Sequence, residues 1–508
     1  MLRSDVPGSE ICPRSRSSAS MGIRWSTAAL LVSLFALHGC SEDGGGSFSG
    51  SAEKVKRWNR IAIDASGLDH TGTGAHEQFG PGRSSQAMAI AHIAMFEAVN
   101  AIAGVPKEPG GLVPGASHGP WFESYVGLEP PAGTASLDAA IAQSTHDALV
   151  AVFPSQASRL DPLLAEDLAA IPDSPVKSAG IDLGRAAAAG ILALRVNDGS
   201  QHDEPRVGVD HEVSDAPGRW RPDPVSGNLV AMGAHWADVT PFVLESASQF
   251  RAPSPPAITS AEYAAAYDEV KRLGGDGTTT STERTEDQTV TGIYWAYDGT
   301  PSLCAPPRLY NQIAVLIAEE HGNDALELAR LLALVNVAMA DAGIAIWESK
   351  YHYDYWRPVT GIRESDEGTG PTGEGDGNPA TAGDPAFMPL GAPSSNLPGS
   401  NFTPPFPAYP SGHAGFGGAL FQVLRRFYGT DRIAFTFVSD EFNGVTRDNE
   451  GNPRPLLPRH FDTLSQAEEE NGQSRIYLGI HWSFDKTEGI AQGRHVGDYV
   501  FESLFQPR

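Results

Sequence analysis

Residues 404–418 read Pro404-Pro405-Phe406-Pro407-Ala408-Tyr409-Pro410-Ser411-Gly412-His413-Ala414-Gly415-Phe416-Gly417-Gly418. The prolines, with Phe406 and Tyr409 between them, hold an extended approach up to Pro410. Ser411 then stands where a helix N-cap belongs, ahead of a run from Ala414 to Phe427 with helical spacing. A helix opening at Ser411-Gly412-His413 has first N–H groups without intrahelical acceptors, at the positive end of its dipole, and such a terminus holds an oxyanion. The Ser411 hydroxyl adds a donor, Gly412 lets an anion approach the main chain, and the His413 imidazole lies beside them. Taken alone, the tetrapeptide fits a plain capped helix with a surface histidine equally well.

The chain has 508 residues, enough for one large or two ordinary domains, and with 41% apolar and 8% aromatic residues it reads as globular. A formal net charge of −26 excludes a nucleic-acid partner, because Lys and Arg never gather into the patch a phosphate backbone requires. Any anion pocket must therefore collect its positive charge locally, which makes clustered Lys, Arg and His informative.

Arg24, the apolar run Ala28 to Leu37 and then His38-Gly39-Cys40 read as a secretory signal over residues 1–39, with Met21 as an alternative start. The cysteine position resembles a bacterial lipoprotein signal, so the expectation is an exported protein, periplasmic or at the outer membrane or cell surface, touching membrane only through a lipid on Cys40. An ordinary signal peptide with an incidental cysteine is the alternative. Of three cysteines only Cys304 then remains free, which excludes a disulfide framework or a cysteine metal site. Residues 40–54 read as a flexible Gly/Ser/acid-rich tether, with structure starting near Val55.

Beyond it the periodicity predicts an all-α protein of two helical bundles, an N-terminal domain over 55–275 and a C-terminal one over 276–508 that carries the site. Helices are expected over Arg83–Ile102, Ser136–Val152, Ala157–Ile171, Val176–Val196, Ser260–Leu273, Thr282–Tyr297, Asn311–His321, Asp324 to about Trp356, Phe461–Gly472 and Glu488–Leu504, with no strand of any strength. His92, inside the first, reads as a satisfied core histidine. Residues 197–256, rich in Pro, Gly and Trp, are expected to wrap the helices or line a pocket mouth, and 363–400 forms a second long loop.

Two further segments bear on chemistry. Lys350 and Arg357 are seven residues apart, nearly two helical turns, so on a helix both cations point one way, roughly 10 Å apart. Pro358 places Arg357 at the helix end, and Tyr351, Tyr353, Tyr355 and Trp356 are company that would bury the pair and call for an anion. His481 and Asp485 are four apart, so on one turn the carboxylate can hold one ring nitrogen and leave the other free, while Arg475 adds a third cation. Solvated charged faces are the bland reading of both segments. Three cations, the Ser411 and Gly412 donors and two imidazoles together suit a tetrahedral trianion.

Lys350-x6-Arg357-Pro358, Pro410-Ser411-Gly412-His413 and Ser474-Arg475-x5-His481-x3-Asp485 resemble, in that order, three signature motifs. These are shared by type-2 phosphatidic acid phosphatases, bacterial acid phosphatases and vanadium-dependent haloperoxidases. Flanking stretches are similar to the vanadium chloroperoxidases of fungal type: Tyr294 to Gly299, Pro306 to Gln312, Asp341 to Ile344, Trp347, Phe402 to Gly418 and Arg459 to Asp462. The likeness is dense over residues 280–500 and only helical in character before them.

The resemblance implies vanadate as cofactor, with His481 bonding the metal and Lys350, Arg357, Ser411, Gly412 and Arg475 holding its oxygens. It implies His413 as acid/base, Lys350 as the group polarising the oxidant, and Asp298 as the carboxylate bracing the site arginines. Trp347 and Phe406 match the aromatics near the halide, with Asp485 supporting His481. Algal bromoperoxidases carry histidine where Phe406 stands, so the chain leans toward the chloroperoxidase type. The implied activity is oxidation of chloride or bromide by hydrogen peroxide to hypohalous acid, which halogenates small organic acceptors. The alternative is phosphomonoester hydrolysis through a phosphohistidine at His481. A non-enzymatic anion-binding protein would require one contact residue to be missing, and none is.

Overall fold

A computed structural model describes residues 47–104 and 122–508. The signal region and Cys40 lie outside the described residues. Helix α1 (Phe48–Asp69) already begins within the stretch expected to be a tether: the Ser47 hydroxyl accepts from Gly50 N at 3.1 Å, and Val55 and Trp58 are fully buried. Ordered chain thus starts before Val55, because the serine that composition assigns to a linker serves as an N-cap.

The N-terminal helices are α2 (Pro81–Ala103), α3 (Leu137–Val152), α4 (Ala157–Ala169) and α5 (Pro175–Arg195), with Ser136 and Ser174 capping α3 and α5. Next come α6 (Ala261–Leu273), α7 (Glu286–Tyr294), α8 (Pro307–Glu320), α9 (Ala325–Tyr353), α10 (Pro358–Arg363), α11 (Gly412–Tyr428), α12 (Leu464–Tyr477) and α13 (Ser483–Ser503). His92 in α2 is the core histidine expected, bonded to Met88 O at 2.7 Å and Asn59 Oδ1 at 2.8 Å. The class is all-α with one correction. An antiparallel hairpin, β1 (Phe435–Asn443) with β2 (Leu456–Phe461), pairs Phe435 with Phe461 and Phe437 with Arg459. Its inward positions alternate from Phe435 to Glu441, but Ser439 and Glu441 hold two of them and Val438 faces out, so no apolar alternation stands out in the sequence.

Helix α9 is the axis of the molecule. An Asp324/Glu327 capping box starts it, Asp354 in the left-handed region (φ 52°) ends it, and α2, α11 and α13 pack along it. Both α2 and α9 are long and apolar enough to cross a membrane, but 89% and 94% of their apolar windows are buried within this chain, as core helices are. The irregular segment 197–256 does wrap the helices. The Asp341 carboxylate on α9 accepts from the N–H groups of Phe242 (2.6 Å), Val243 (2.8 Å) and Leu244 (3.0 Å), pinning the segment across the core.

Helices α11 and α13 meet backbone to backbone. A Cβ on Gly493 would lie 2.0 Å from Gly415 O, and one on Gly418 would lie 2.6 Å from Ile490 O. Only hydrogen fits at these crossings. The contact places the start of α11 beside the start of α13, where Ser411 N donates to Asp485 O at 2.9 Å. Gly493→Ala is therefore expected to destabilise the protein by about 1–3 kcal/mol in urea denaturation. Gly133→Ala, at a position with open space around it, should change stability by less than about 0.5 kcal/mol.

Candidate functional site

Lys350 lies in the last turn of α9, fully buried, and its Nζ donates to Pro407 O at 2.8 Å and Ala408 O at 2.9 Å. One of its three N–H bonds is left over. Arg357 is also buried, but helical phase does not bring it there. The chain leaves α9 at Asp354 and doubles back, so Arg357 is the extended N-cap of α10 (φ −79°, ψ 155°) with Pro358 as first helical residue. Its Nε donates to Phe406 O at 2.9 Å, and its Nη1 to Ile480 O at 2.8 Å and His481 Nε2 at 3.0 Å. Its Nη2 is buried without a partner.

Ser411 caps α11 as expected, its hydroxyl accepting from Ala414 N at 3.5 Å. Gly412 and His413 follow, and their N–H groups have no carbonyl one turn earlier to accept them. His413 Nε2 donates to the Ala296 carbonyl, which leaves Nδ1 as the lone-pair nitrogen. Its own carbonyl is fixed by Tyr310 Oη and Asn471 Nδ2, each at 2.9 Å. Arg475, buried on α12, donates from Nη2 to both oxygens of Asp298 at 2.7 and 2.9 Å, while its Nε and Nη1 have no partner. Asp298 therefore braces one guanidinium, and it also lies 3.8 Å from His413 Nε2.

His481 and Asp485 meet, but not on one helical turn. His481 sits in the turn before α13 and Asp485 in that helix's first turn, where Asp485 Oδ2 accepts from Trp482 N at 3.0 Å and from His481 Nδ1 at 2.8 Å. A guanidinium can only donate, so the Arg357 bond makes His481 Nε2 an acceptor and fixes the proton on Nδ1. The ring is thereby a neutral imidazole whose single lone pair faces Arg357.

Burial dominates the electrostatics. It holds Lys350 well below the usual amine range, with Arg357 adding to the effect, and lowers Arg357 to about 9. Burial first, then Arg475 for His413 and Arg357 for His481, keeps both imidazoles well below their ordinary value. Burial likewise raises Asp485 to about 7 and lifts Asp298 against the pull of Arg475. The cations are short of counter-charge, and the unpaired donors are N–H groups.

These groups surround a cavity of about 200 Å³ bordered by Gly412, His413, Arg475 and His481, with Trp347 and Phe406 on one side. Lys350 and Arg357 do not border it. Lys350 Nζ lies 5.1 Å and the Arg357 guanidinium 4.9 Å from the Phe406 ring centroid, and Arg357 bonds His481. A tetrahedral oxyanion fits this donor set: the Arg357 and Arg475 orphans, the third Lys350 hydrogen, the Ser411 hydroxyl and the first N–H groups of α11.

One wall of the site comes from the 197–256 segment, which composition placed over the helices or at a pocket mouth without singling out a residue. Met232 N donates to Pro405 O at 3.0 Å, and Met232 O accepts from Trp347 Nε1 at 3.0 Å and Tyr351 Oη at 2.9 Å. A Cβ on Gly233 (φ 75°) would lie 2.3 Å from Trp347 Cδ1. The 197–256 segment thus sets the Trp347 wall through main-chain atoms, which residue type does not reveal. Tyr310 fell inside a stretch already singled out, whereas Asn471 had no local signature.

Residues 330–507 match the family model "VCPO second helical-bundle domain". The vanadium chloroperoxidase of Curvularia inaequalis is 42% identical over 269 residues, covering 46% of this chain and 42% of that protein. The matched chain thus spans less than half the length of that relative. Among solved structures, a bacterial vanadium-dependent iodoperoxidase shares the fold with a TM-score of 0.66 at 24% identity, over 89% of this chain and 95% of that one. An apo-type bacterial vanadium-dependent chloroperoxidase does so with a TM-score of 0.59 at 16% identity, over 84% and 94%.

Burial is the main reason His413 and His481 stay neutral, and an oxyanion entering the cavity offsets the second cause, the neighbouring cations, so both values rise and protons are taken up. Sulfate tests this, because it has no titrating proton near neutrality. Calorimetry at about pH 6 in buffers of different ionisation enthalpy should give uptake on the order of one proton per site. Net release would contradict this assignment.

Proposed function

We propose that this chain is a vanadium-dependent haloperoxidase, oxidising halide with hydrogen peroxide to hypohalous acid that halogenates small organic acceptors. The observation carrying the proposal is the gathering of buried, under-compensated cations around two neutral imidazoles: Arg475, His413 and His481 border the cavity, and Lys350 and Arg357 stand against its Phe406 wall. Vanadate, when bound, supplies a Lewis-acidic centre that activates hydrogen peroxide toward halide.

His481 would hold the metal through Nε2, its ring fixed by the Nδ1 bond to Asp485. Lys350, Arg357, Arg475, Ser411 and Gly412 would hold the oxygens. His413, with Nε2 committed to Ala296, accepts a proton at Nδ1, and its low basicity lets it return that proton. Asp298 keeps the Arg475 plane fixed, and Lys350 places positive charge beside the oxidant. Trp347 and Phe406, with ring centroids 5.0 Å apart, exclude water where the halide arrives.

We further propose chloride and bromide as the halides, on the strength of Phe406, with iodide the comparison to run because one solved neighbour is an iodoperoxidase. Export and lipid attachment at Cys40 belong to the same reading and rest on residues 21–40 of the sequence alone.

Phosphomonoester hydrolysis is the second reading, favoured by the His481–Asp485 pair, which also suits a phosphohistidine. Lys350→Ala and His481→Ala should each lower vanadate-dependent bromination of a phenol-red-type acceptor by about a hundredfold or more. Undiminished bromination in both variants contradicts the assignment. Hydrolysis of p-nitrophenyl phosphate with no halogenation selects the phosphatase.

A further inference from the structure

Residues 296–298 meet the site twice: the Ala296 carbonyl accepts from His413 Nε2, and the Asp298 carboxylate holds Arg475. Tyr297, between them, is fully buried, borders the cavity and lies in the left-handed region (φ 44°), which a side chain of its size disfavours. Something outside the turn has to hold it there. Tyr297 Oη accepts from Asp440 N at 2.6 Å and donates to Gln312 Oε1 at 3.3 Å. The Asp440 N–H is available because the hairpin slips register: on β1, Ser439 to Phe442 stand opposite Leu457 alone, so this part of the strand turns its N–H to Tyr297 instead of β2. Asp440 is itself fixed, its carboxylate accepting from Arg308 Nε at 2.8 Å and Gln312 Nε2 at 2.9 Å.

Taking His413 as the acid/base of the haloperoxidase reading, we propose that Tyr297 is a positioning residue for it: the phenol ties the turn to the bulged part of β1, and the turn presents the carbonyl that sets how the His413 ring faces. Without the phenol oxygen, Asp440 N and Gln312 Oε1 lose their common partner, and residue 297 keeps its unfavourable backbone with less to hold it. Ala296 O then loosens, the Nε2 bond is made for less of the time, and Nδ1 is aimed less well at the proton it has to take.

Tyr297→Phe removes the oxygen and keeps the ring. Tyr294→Phe is its control, removing a bond of the same kind to β1, from Tyr294 Oη to Phe437 O at 2.6 Å, while Ser439 Oγ still donates to Tyr294 O at 2.6 Å. In vanadate-free protein labelled with nitrogen-15 histidine, the His413 Nε2 proton should exchange with solvent about tenfold faster in Tyr297→Phe than in the unsubstituted protein, and within about twofold of it in Tyr294→Phe. Gln312→Met, which takes away the phenol's acceptor and leaves Asp440 N in place, should give about threefold, and it carries the test if Tyr297→Phe does not fold. Loaded with vanadate, Tyr297→Phe should lower kcat for bromide about tenfold with bromide KM within about twofold. Exchange at the unsubstituted rate, exchange equally fast in both tyrosine variants, or faster exchange with kcat unchanged overturns the inference. Faster exchange confined to the Tyr297 and Gln312 variants, in a loaded protein that halogenates nothing, overturns the haloperoxidase reading and leaves the anchoring of His413 in place.

Discussion

Positive charge buried without enough negative charge around it is the constraint that organises the structure. Lys350, Arg357 and Arg475 are each no more than 1% exposed, and the carboxylates beside them, Asp298 and Asp485, are themselves pushed toward the neutral form by burial. Backbone carbonyls of Phe406, Pro407, Ala408 and Ile480 take up part of the hydrogen-bonding capacity. They cannot supply a full negative charge. A polyanion with several acceptor oxygens is the partner that resolves the imbalance, and the remaining unpaired donors set its shape.

Holding such a site together demands a rigid frame. The residues come from the end of α9, the cap of α10, the start of α11, the last turn of α12 and the turn before α13. The glycine crossing of α11 with α13 and the bond from Ser411 N to Asp485 O fix two of these ends against each other. Asp341 performs the same service for the irregular segment, converting a stretch without secondary structure into a defined wall.

The sequence revealed which residues come together better than it revealed how they meet. The Ser411 cap was legible because capping is local chemistry. Lys350 and Arg357 both end buried against Phe406, but the helical phase invoked for them fails at Asp354, whose left-handed conformation no periodicity signals. His481 and Asp485 do bond, across a helix start and not along a turn. The hairpin escaped because polar Ser439 and Glu441 hold inward positions of β1, α1 because its cap resembles linker, and Met232 because it acts through its main chain, which every residue type shares.

The bond from Arg357 to His481 carries one last consequence. That guanidinium occupies the sole electron pair the imidazole has to give, with Asp485 claiming the other side of the ring. Installing an electrophile there is a substitution and not an addition, since the arginine must surrender its acceptor before the newcomer can bind. A tenant that offers that arginine replacement oxygens while taking the nitrogen satisfies both sides of the exchange. A bare cation, which offers none, is turned away.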